Sequence, residues 1–191
     1  MKKVLFLIHD LGCGGAEKVL TNLVNNLDKT KYEVTIQTLF DVGINKKYIS
    51  KKVNYIGGWK KMFPGNVTLM KLFSPKFLCK LIIKEDYDIV VSFLEGPCSR
   101  IVSSYNGKKA AWIHIEHASE KTISSSFRSF KEMNNCYNSF NKIICVAETV
   151  KSNFLRLSDV KCPCEVLYNV NQTDYIIEKS LEKQDSVLHN D

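Results

Sequence analysis

The chain has 191 residues, of which 45% are hydrophobic and 25% charged, and it carries a formal charge of +7. This length suits one domain, or one domain with a tail, and the composition excludes a disordered chain. No apolar run approaches the roughly 20 residues of a membrane span.

The basic charge is almost all lysine: Arg100, Arg128 and Arg156 are the arginines. Arginine's planar fork is the usual reader of base edges and phosphates, so a nucleic-acid partner is not expected. From Val42 to Lys84 there are ten lysines and no aspartate or glutamate. Such a field points to an anionic surface as partner.

Behind Met1-Lys2-Lys3, the apolar stretch Val4 to Ile8 is too short for a secretory leader and reads as a strand buried on both faces. A glycine loop with Gly12, Gly14 and Gly15 follows. Apolar residues at 16, 19, 20, 23, 24 and 27 then predict an amphipathic helix from Ala16 to Leu27. Tyr32 to Phe40, rich in β-branched residues, and Val53 to Ile56, closed by Gly57-Gly58, read as strands. Leu69 to Lys84 reads as helical, with a fresh start at Ser74-Pro75 because proline fits a first turn.

Asp88 to Leu94 is the next strand and Pro97 to Tyr105 the next helix, stopped by Asn106-Gly107. Lys109 to His114 and Lys142 to Val146 read as strands, Phe127 to Phe140 and Glu148 to Leu157 as helices. Glu165 to Tyr168 is a last short strand, and from Asn171 the chain turns polar. This alternation predicts an α/β fold with a mostly parallel sheet, covered on both faces. Ligands of such sheets sit beyond the carboxyl ends of the strands, so loops 9–16, 94–98 and 114–126 hold the candidate site.

Seven scattered cysteines (Cys13, Cys79, Cys98, Cys136, Cys145, Cys162 and Cys164) argue for free thiols in a reducing compartment. The one close pair, Cys162 and Cys164, lacks zinc-site spacing and a second pair. No metal is expected. His114 and His117 are three apart, short of the helical zinc pattern.

In the first candidate loop, Gly12-Cys13-Gly14-Gly15-Ala16-Glu17 allows a tight turn and close approach of a ligand to helix amides. It is neither the dinucleotide fingerprint, whose third glycine is replaced by Glu17, nor a triphosphate loop, whose lysine is missing. The same glycines also suit a turn that holds no ligand. His114 and His117 end a strand at the ligand-bearing edge, where an imidazole can bond a hydroxyl or carry a proton. A rim histidine satisfied by backbone is the plainer alternative. Glu95 faces the same cleft or solvent, and His9 and Asp10 leave the first strand as site residues or as loop polarity. Trp59, Lys60, Lys61, Lys71, Lys76 and Lys80 mix lysine with large apolar groups, as in a segment lying on an anionic membrane. An ordinary amphipathic helix facing the sheet shows the same pattern.

Four segments carry a family resemblance. They are Gly14-Gly15-Ala16-Glu17 with its helix, Ala111-Trp112-Ile113-His114, Ile144-Cys145-Val146-Ala147-Glu148 running on to Phe154, and Val166-Leu167-Tyr168-Asn169-Val170. In this order the chain resembles the amino-terminal half of a family 4 glycosyltransferase, the retaining group with two Rossmann-like domains facing a cleft. The resemblance implies a three-layer Rossmann-like domain over 1–170, half of a GT-B fold, and a polar interdomain linker or tail over 171–191. It implies that Gly14 and Gly15 lie near the sugar-phosphate of a nucleotide-sugar donor, and that His114 contacts the donor sugar as the catalytic residue. Glu17, Glu95 and His117 would share that cleft.

The resemblance further implies transfer to a hydroxyl with retained configuration and without metal or cofactor. Family members build capsule and envelope glycans on lipid-linked acceptors, which would place the chain in the cytoplasm, peripheral at the inner membrane face. The family's second domain supplies most nucleotide contacts, and nothing after Tyr168 forms one. The expectation is therefore an acceptor-side domain, inactive alone, whose donor-binding partner lies in the same chain or on a separate subunit. The alternative expectation is a non-catalytic or partner subunit of a split transferase.

Overall fold

The computed structural model describes residues 1–169 together with Ile177, Ser180 and Leu181. The polar segment 171–191 therefore lies, apart from those three residues, outside the described residues. Seven parallel strands form one sheet: β1 (Lys2–Ile8), β2 (Tyr32–Thr38), β3 (Asn54–Ile56), β4 (Ile89–Ser92), β5 (Lys108–Ile113), β6 (Lys142–Cys145) and β7 (Cys164–Val166). Their order is β3-β2-β1-β4-β5-β6-β7. The chain builds outward from β1 in one direction, then returns to β1 and builds in the other. The crevice between β1 and β4 is thus the topological switch point.

The helices are α1 (Gly15–Asn26), α2 (Asn66–Lys71), α3 (Pro75–Ile82), α4 (Pro97–Val102), α5 (Glu120–Ile123), α6 (Phe130–Asn138) and α7 (Glu148–Arg156). A short 3-10 helix covers Ile44–Tyr48. Strand side chains alternate between faces, so β1 feeds two cores at once. Leu5 and Leu7 pack with Leu78, Ile101, Tyr137 and Phe154 from α3, α4, α6 and α7. Val4, Phe6 and Ile8 pack on the other face with Leu20 and Val24 of α1. That double demand explains the unbroken apolar run.

Several boundaries differ from the sequence expectation for local reasons. In the 69–84 stretch the fresh start expected at Ser74-Pro75 is present, with the Ser74 hydroxyl accepting the Phe77 amide at the head of α3, but α2 begins earlier than expected, at Asn66, and α3 ends at Ile82. Regular β2 ends at Thr38, two residues early. Leu39 and Phe40 still donate to the carbonyls of Ile8 and His9, so the chain keeps following β1. The helix expected to reach Tyr105 stops at Val102, and the Tyr105 hydroxyl instead bonds both backbone groups of Tyr87. The helix expected from Phe127 starts at Phe130, because the Ser129 side chain caps it. α5 carries a capping box built from Ser119 and Thr122 and was not foreseen.

Candidate functional site

Three loops meet at the carboxyl edge of the switch point. Leu7 is in register with Ser92, and Ser92 with Ala111, so the loops after β1, β4 and β5 leave the sheet side by side. The first turns at Asp10, whose carboxylate accepts the Gly12 amide at 2.8 Å and meets His9 Nδ1 at 2.7 Å. Asn45 braces it, donating its side-chain amide to the Gly12 carbonyl and its backbone amide to Leu11. Gly43 makes this brace possible. Its φ of +117° suits glycine, and a Cβ there would strike the Leu11 carbonyl.

Gly14 is the N-cap of α1, with no side chain bonding the first-turn amides. A Cβ on Gly14 would hit the Glu17 carboxylate, so Glu17 folds back over the loop. A Cβ on Gly15 would meet nothing within 4 Å, so this corner stays open to a ligand. The structure thus brings Gly14, Gly15 and Glu17 together at one helix start.

The second loop places Glu95 under the third. Its two oxygens accept the backbone amides of His114, at 3.1 Å, and Ile115, at 3.2 Å. Burial raises the Glu95 pKa, against the pull of these amides. Glu95 therefore shapes the loop carrying His114. The His114 ring lies against Phe93 at 4.8 Å and stacks on Trp112 at 6.3 Å. Burial lowers its pKa to about 4, with the Phe93 carbonyl pulling the other way, so the imidazole is neutral near pH 7. Its Nε2 is buried and makes no hydrogen bond. A neutral ring with one unmatched nitrogen is equipped to bond a hydroxyl.

His117 sits on the same loop, clamped by Asn153 of α7. Asn153 accepts the His117 amide at 2.8 Å and donates to its carbonyl at 3.0 Å. Burial lowers the His117 pKa also, and its Nε2 is likewise unmatched. Cys98, at the start of α4, lies beneath this edge. Burial raises its pKa, and the charges of Asp10 and Glu95 add to the effect, which ties the first two loops together in space. Among the described residues no group of three potential ligands could hold a metal ion.

The lysine-rich segment does not form one face. Trp59 lines an apolar groove with Phe40, Phe63 and the α2–α3 pair. Lys76 and Lys80 line a separate depression on the other flank of α3, beside Tyr105 and Asn106. Lys60 and Lys61 are exposed next to Trp59, and Lys71 ends α2. Among the described residues none of these five lysines joins an ion pair, and no helix is long and apolar enough to cross a membrane. Sequence reading missed Phe93 and Asn153. An asparagine that clamps a loop 36 residues away has no local signature.

The chain is similar to Anabaena HepE, solved in complex with UDP and glucose, with a TM-score of 0.61 at 15% identity, over 95% of this chain and 50% of that one. A UDP-bound ugt transferase from Siraitia grosvenorii matches at a TM-score of 0.48 and 10% identity, over 93% of this chain and 54% of that one. The chain spans about half the length of these structures. No curated protein sequence matches it significantly. The family model Glycosyltransferase Family 4 matches residues 13–174, including every loop of the cleft from Cys13 onward. The chain therefore belongs to glycosyltransferase family 4, and its seven-stranded parallel sheet is the Rossmann-like amino-terminal half of a GT-B fold.

Proposed function

We propose that this chain is the acceptor-side half of a retaining transferase. It moves a sugar from a nucleotide-sugar to a hydroxyl of an envelope or capsule glycan precursor, at the cytoplasmic face of the membrane. The observation that carries this reading is the neutral, half-buried His114, whose buried Nε2 is unmatched, on a loop that Glu95 fixes at the same sheet edge as the open corner at Gly15. His114 bonds a hydroxyl of the donor sugar, and Gly14 and Gly15 let the sugar-phosphate approach the first amides of α1.

Turnover needs a second, donor-binding domain, on the same chain or on another subunit. Loops 9–14, 94–96 and 114–117 contain Asp10, Glu95 and Glu116 and no lysine or arginine. These loops offer no cation to the diphosphate that leaves in the transition state, so stabilising donors have to come from elsewhere.

The test compares two preparations: the native species carrying this sequence, captured from source cells by antibody, and the purified 191-residue chain. Each receives radiolabelled UDP-, GDP- and ADP-sugars with a membrane extract as acceptor. The expected result is transfer by the native species, with retained anomeric configuration by NMR, and none by the chain alone. His114→Ala in the native species should lower transfer at least about 100-fold, the scale of losing one preorganised donor. Transfer by the isolated chain would overturn the need for a second domain. No transfer by the native species from any donor would overturn the reading itself.

A further inference from the structure

We infer that Cys145 and Cys164 form a reversible dithiol–disulfide pair, which takes a peroxide as its oxidant and, once closed, staples the edge strand β7 to β6. The inference does not depend on the transferase reading. The two sulfurs face each other across adjacent strands at 3.5 Å. A disulfide holds its sulfurs at about 2.05 Å, so these need to close by about 1.5 Å. The strand that has to give is the one best able to. β7 is three residues long, ends the sheet and has β6 as its one strand neighbour. A short strand paired on one side opens at lower cost than a central one.

The two thiols are unequal, as an attacking and a resolving sulfur have to be. Cys145 is fully buried, whereas Cys164 is partly exposed and within reach of a small solute. The hydrogen bond with Cys145 holds the Cys164 thiol below its ordinary pKa against the effect of burial, and the Lys151 charge on α7 adds to the lowering. The same bond, together with burial, raises the Cys145 thiol. Cys164 is thus the readier thiolate, and Cys145 the thiol that donates to it.

Cys162 is the rival partner and is poorly set. Its sulfur lies 3.2 Å from the Phe140 carbonyl, and burial raises its pKa. A bridge from Cys162 to Cys164 would have to close across Pro163, whose φ is fixed. Burial also keeps Cys79, Cys98 and Cys136 in the neutral, unreactive form.

The chemistry balances with one peroxide. The Cys164 thiolate attacks a peroxide oxygen and the O–O bond breaks. The departing hydroxide takes up a proton and leaves as water, and Cys164 becomes a sulfenic acid. The Cys145 sulfur then attacks the Cys164 sulfur and forms the S–S bond. The sulfenic hydroxyl leaves with the Cys145 proton as a second water. Two thiols are oxidised to one disulfide, and one peroxide is reduced to two waters.

The bridge would act on the strand that carries it. Leu167 donates its amide to the Cys145 carbonyl at 2.9 Å, and Ile143 donates to the Pro163 carbonyl at 2.8 Å. These bonds bracket the sulfur pair, so a closed bridge keeps both from opening. The register also sets the strength of the bridge. Cys164 is opposite Ile143, and Cys145 is opposite Val166, so the sulfurs meet on a diagonal. A bridge that has to pull β7 out of its relaxed register is readily reduced, which makes it a switch and not a permanent brace.

The test treats the full chain with stoichiometric hydrogen peroxide, then blocks the remaining thiols with iodoacetamide in urea and maps the peptides by mass. Cys145 and Cys164 should lose their labels together, with their two peptides joined. Dithiothreitol should restore both labels. Cys162→Ser should still form the bridge, and Cys164→Ser, a change at a partly exposed position, should abolish it. In the oxidised chain, exchange of the Leu167 amide should slow at least about tenfold, because local opening of β7 is suppressed. Both thiols still labelled after peroxide, or a bridge that joins Cys162 to Cys164, would overturn the assignment. So would a loss of label that dithiothreitol does not reverse, or Leu167 exchange that the bridge leaves unchanged.

Discussion

At the scale of single residues, burial decides what His114 can do. A histidine after a strand looks the same in sequence whether it packs, titrates or bonds a ligand. Its contacts with Phe93 and Trp112 remove water and hold it neutral. This has a measurable consequence for stability. The folded-state pKa, about 4, lies below the ordinary 6.5, so as pH falls the unfolded chain takes up the proton first. The contribution is full above about pH 6.5 and is lost as pH falls through about 4; linkage sets it on the order of 3 kcal/mol. His114→Gln should flatten the fall in urea-unfolding free energy between pH 7 and pH 4 by that order, while His117, shifted in the same direction by burial, keeps its own contribution. An unchanged slope in the variant would show that His114 is solvated. Glu95 is the converse case. It could be placed in the cleft from its position after a strand, but its work for the backbone of 114 and 115 emerges only when the two loops are side by side.

At the scale of elements, the α2–α3 pair depends on one ion pair, buried on its arginine side and half-buried on its carboxylate side. Arg100 is 1% exposed and reaches Glu132 through two hydrogen bonds, at 3.1 and 3.0 Å. Burial alone would raise the Glu132 pKa. Hydrogen bonds from Arg100 and from the Arg128 amide, with both guanidinium charges, outweigh burial and hold it below 4.5. The stabilisation from Glu132 is therefore present above pH 4.5 and is lost as pH falls through its depressed value. Arg100→Met should cost about 3–5 kcal/mol, because it strands a carboxylate and two carbonyls. Arg100→Lys should rescue little of this, since one ammonium cannot span the planar set of acceptors. Urea unfolding measures the loss, and amide exchange over residues 66–82 should accelerate most. Exchange that rises evenly over the chain would mean that the pair anchors the whole core and not this hairpin. In sequence, Arg100 looks like surface charge on a short helix. Its burial follows from the packing of α4 between β4 and the α2–α3 turn.

At the scale of the whole molecule, the charge of +7 and the acid-free stretch from Val42 to Lys84 predict attraction to anionic surfaces. The chain should co-sediment with phosphatidylglycerol-containing vesicles and much less with neutral ones. Salt should weaken this, since exposed charges are screened over about 8 Å at physiological ionic strength. Equal binding to both kinds of vesicle would assign the attraction to the apolar patch alone. The structure divides that surface more finely than the sequence could, because α3 sends Trp59's groove to one flank and Lys76 and Lys80 to the other. A run of lysines and aromatics in a sequence does not reveal which of them share a face when two short helices and a loop intervene.

The local pattern was enough to specify the α/β class and the positions of the strands. Runs buried on both faces are apolar without alternation, and helices between them carry one apolar stripe. It was also enough to point to the family, through the glycine loop and the strand ending at His114. Tertiary structure alone decided the strand order, and with it which loops meet. It also decided the burial that neutralises His114, the clamp of Asn153 on His117, and the contact of His9 with Asn66 at the start of α2. Each of these depends on pairs far apart in the chain, such as 9 with 66, 95 with 114 and 117 with 153. Periodicity, propensity and capping act over a turn or two of chain. A contact across the sheet edge is chosen by the packing of both cores at once.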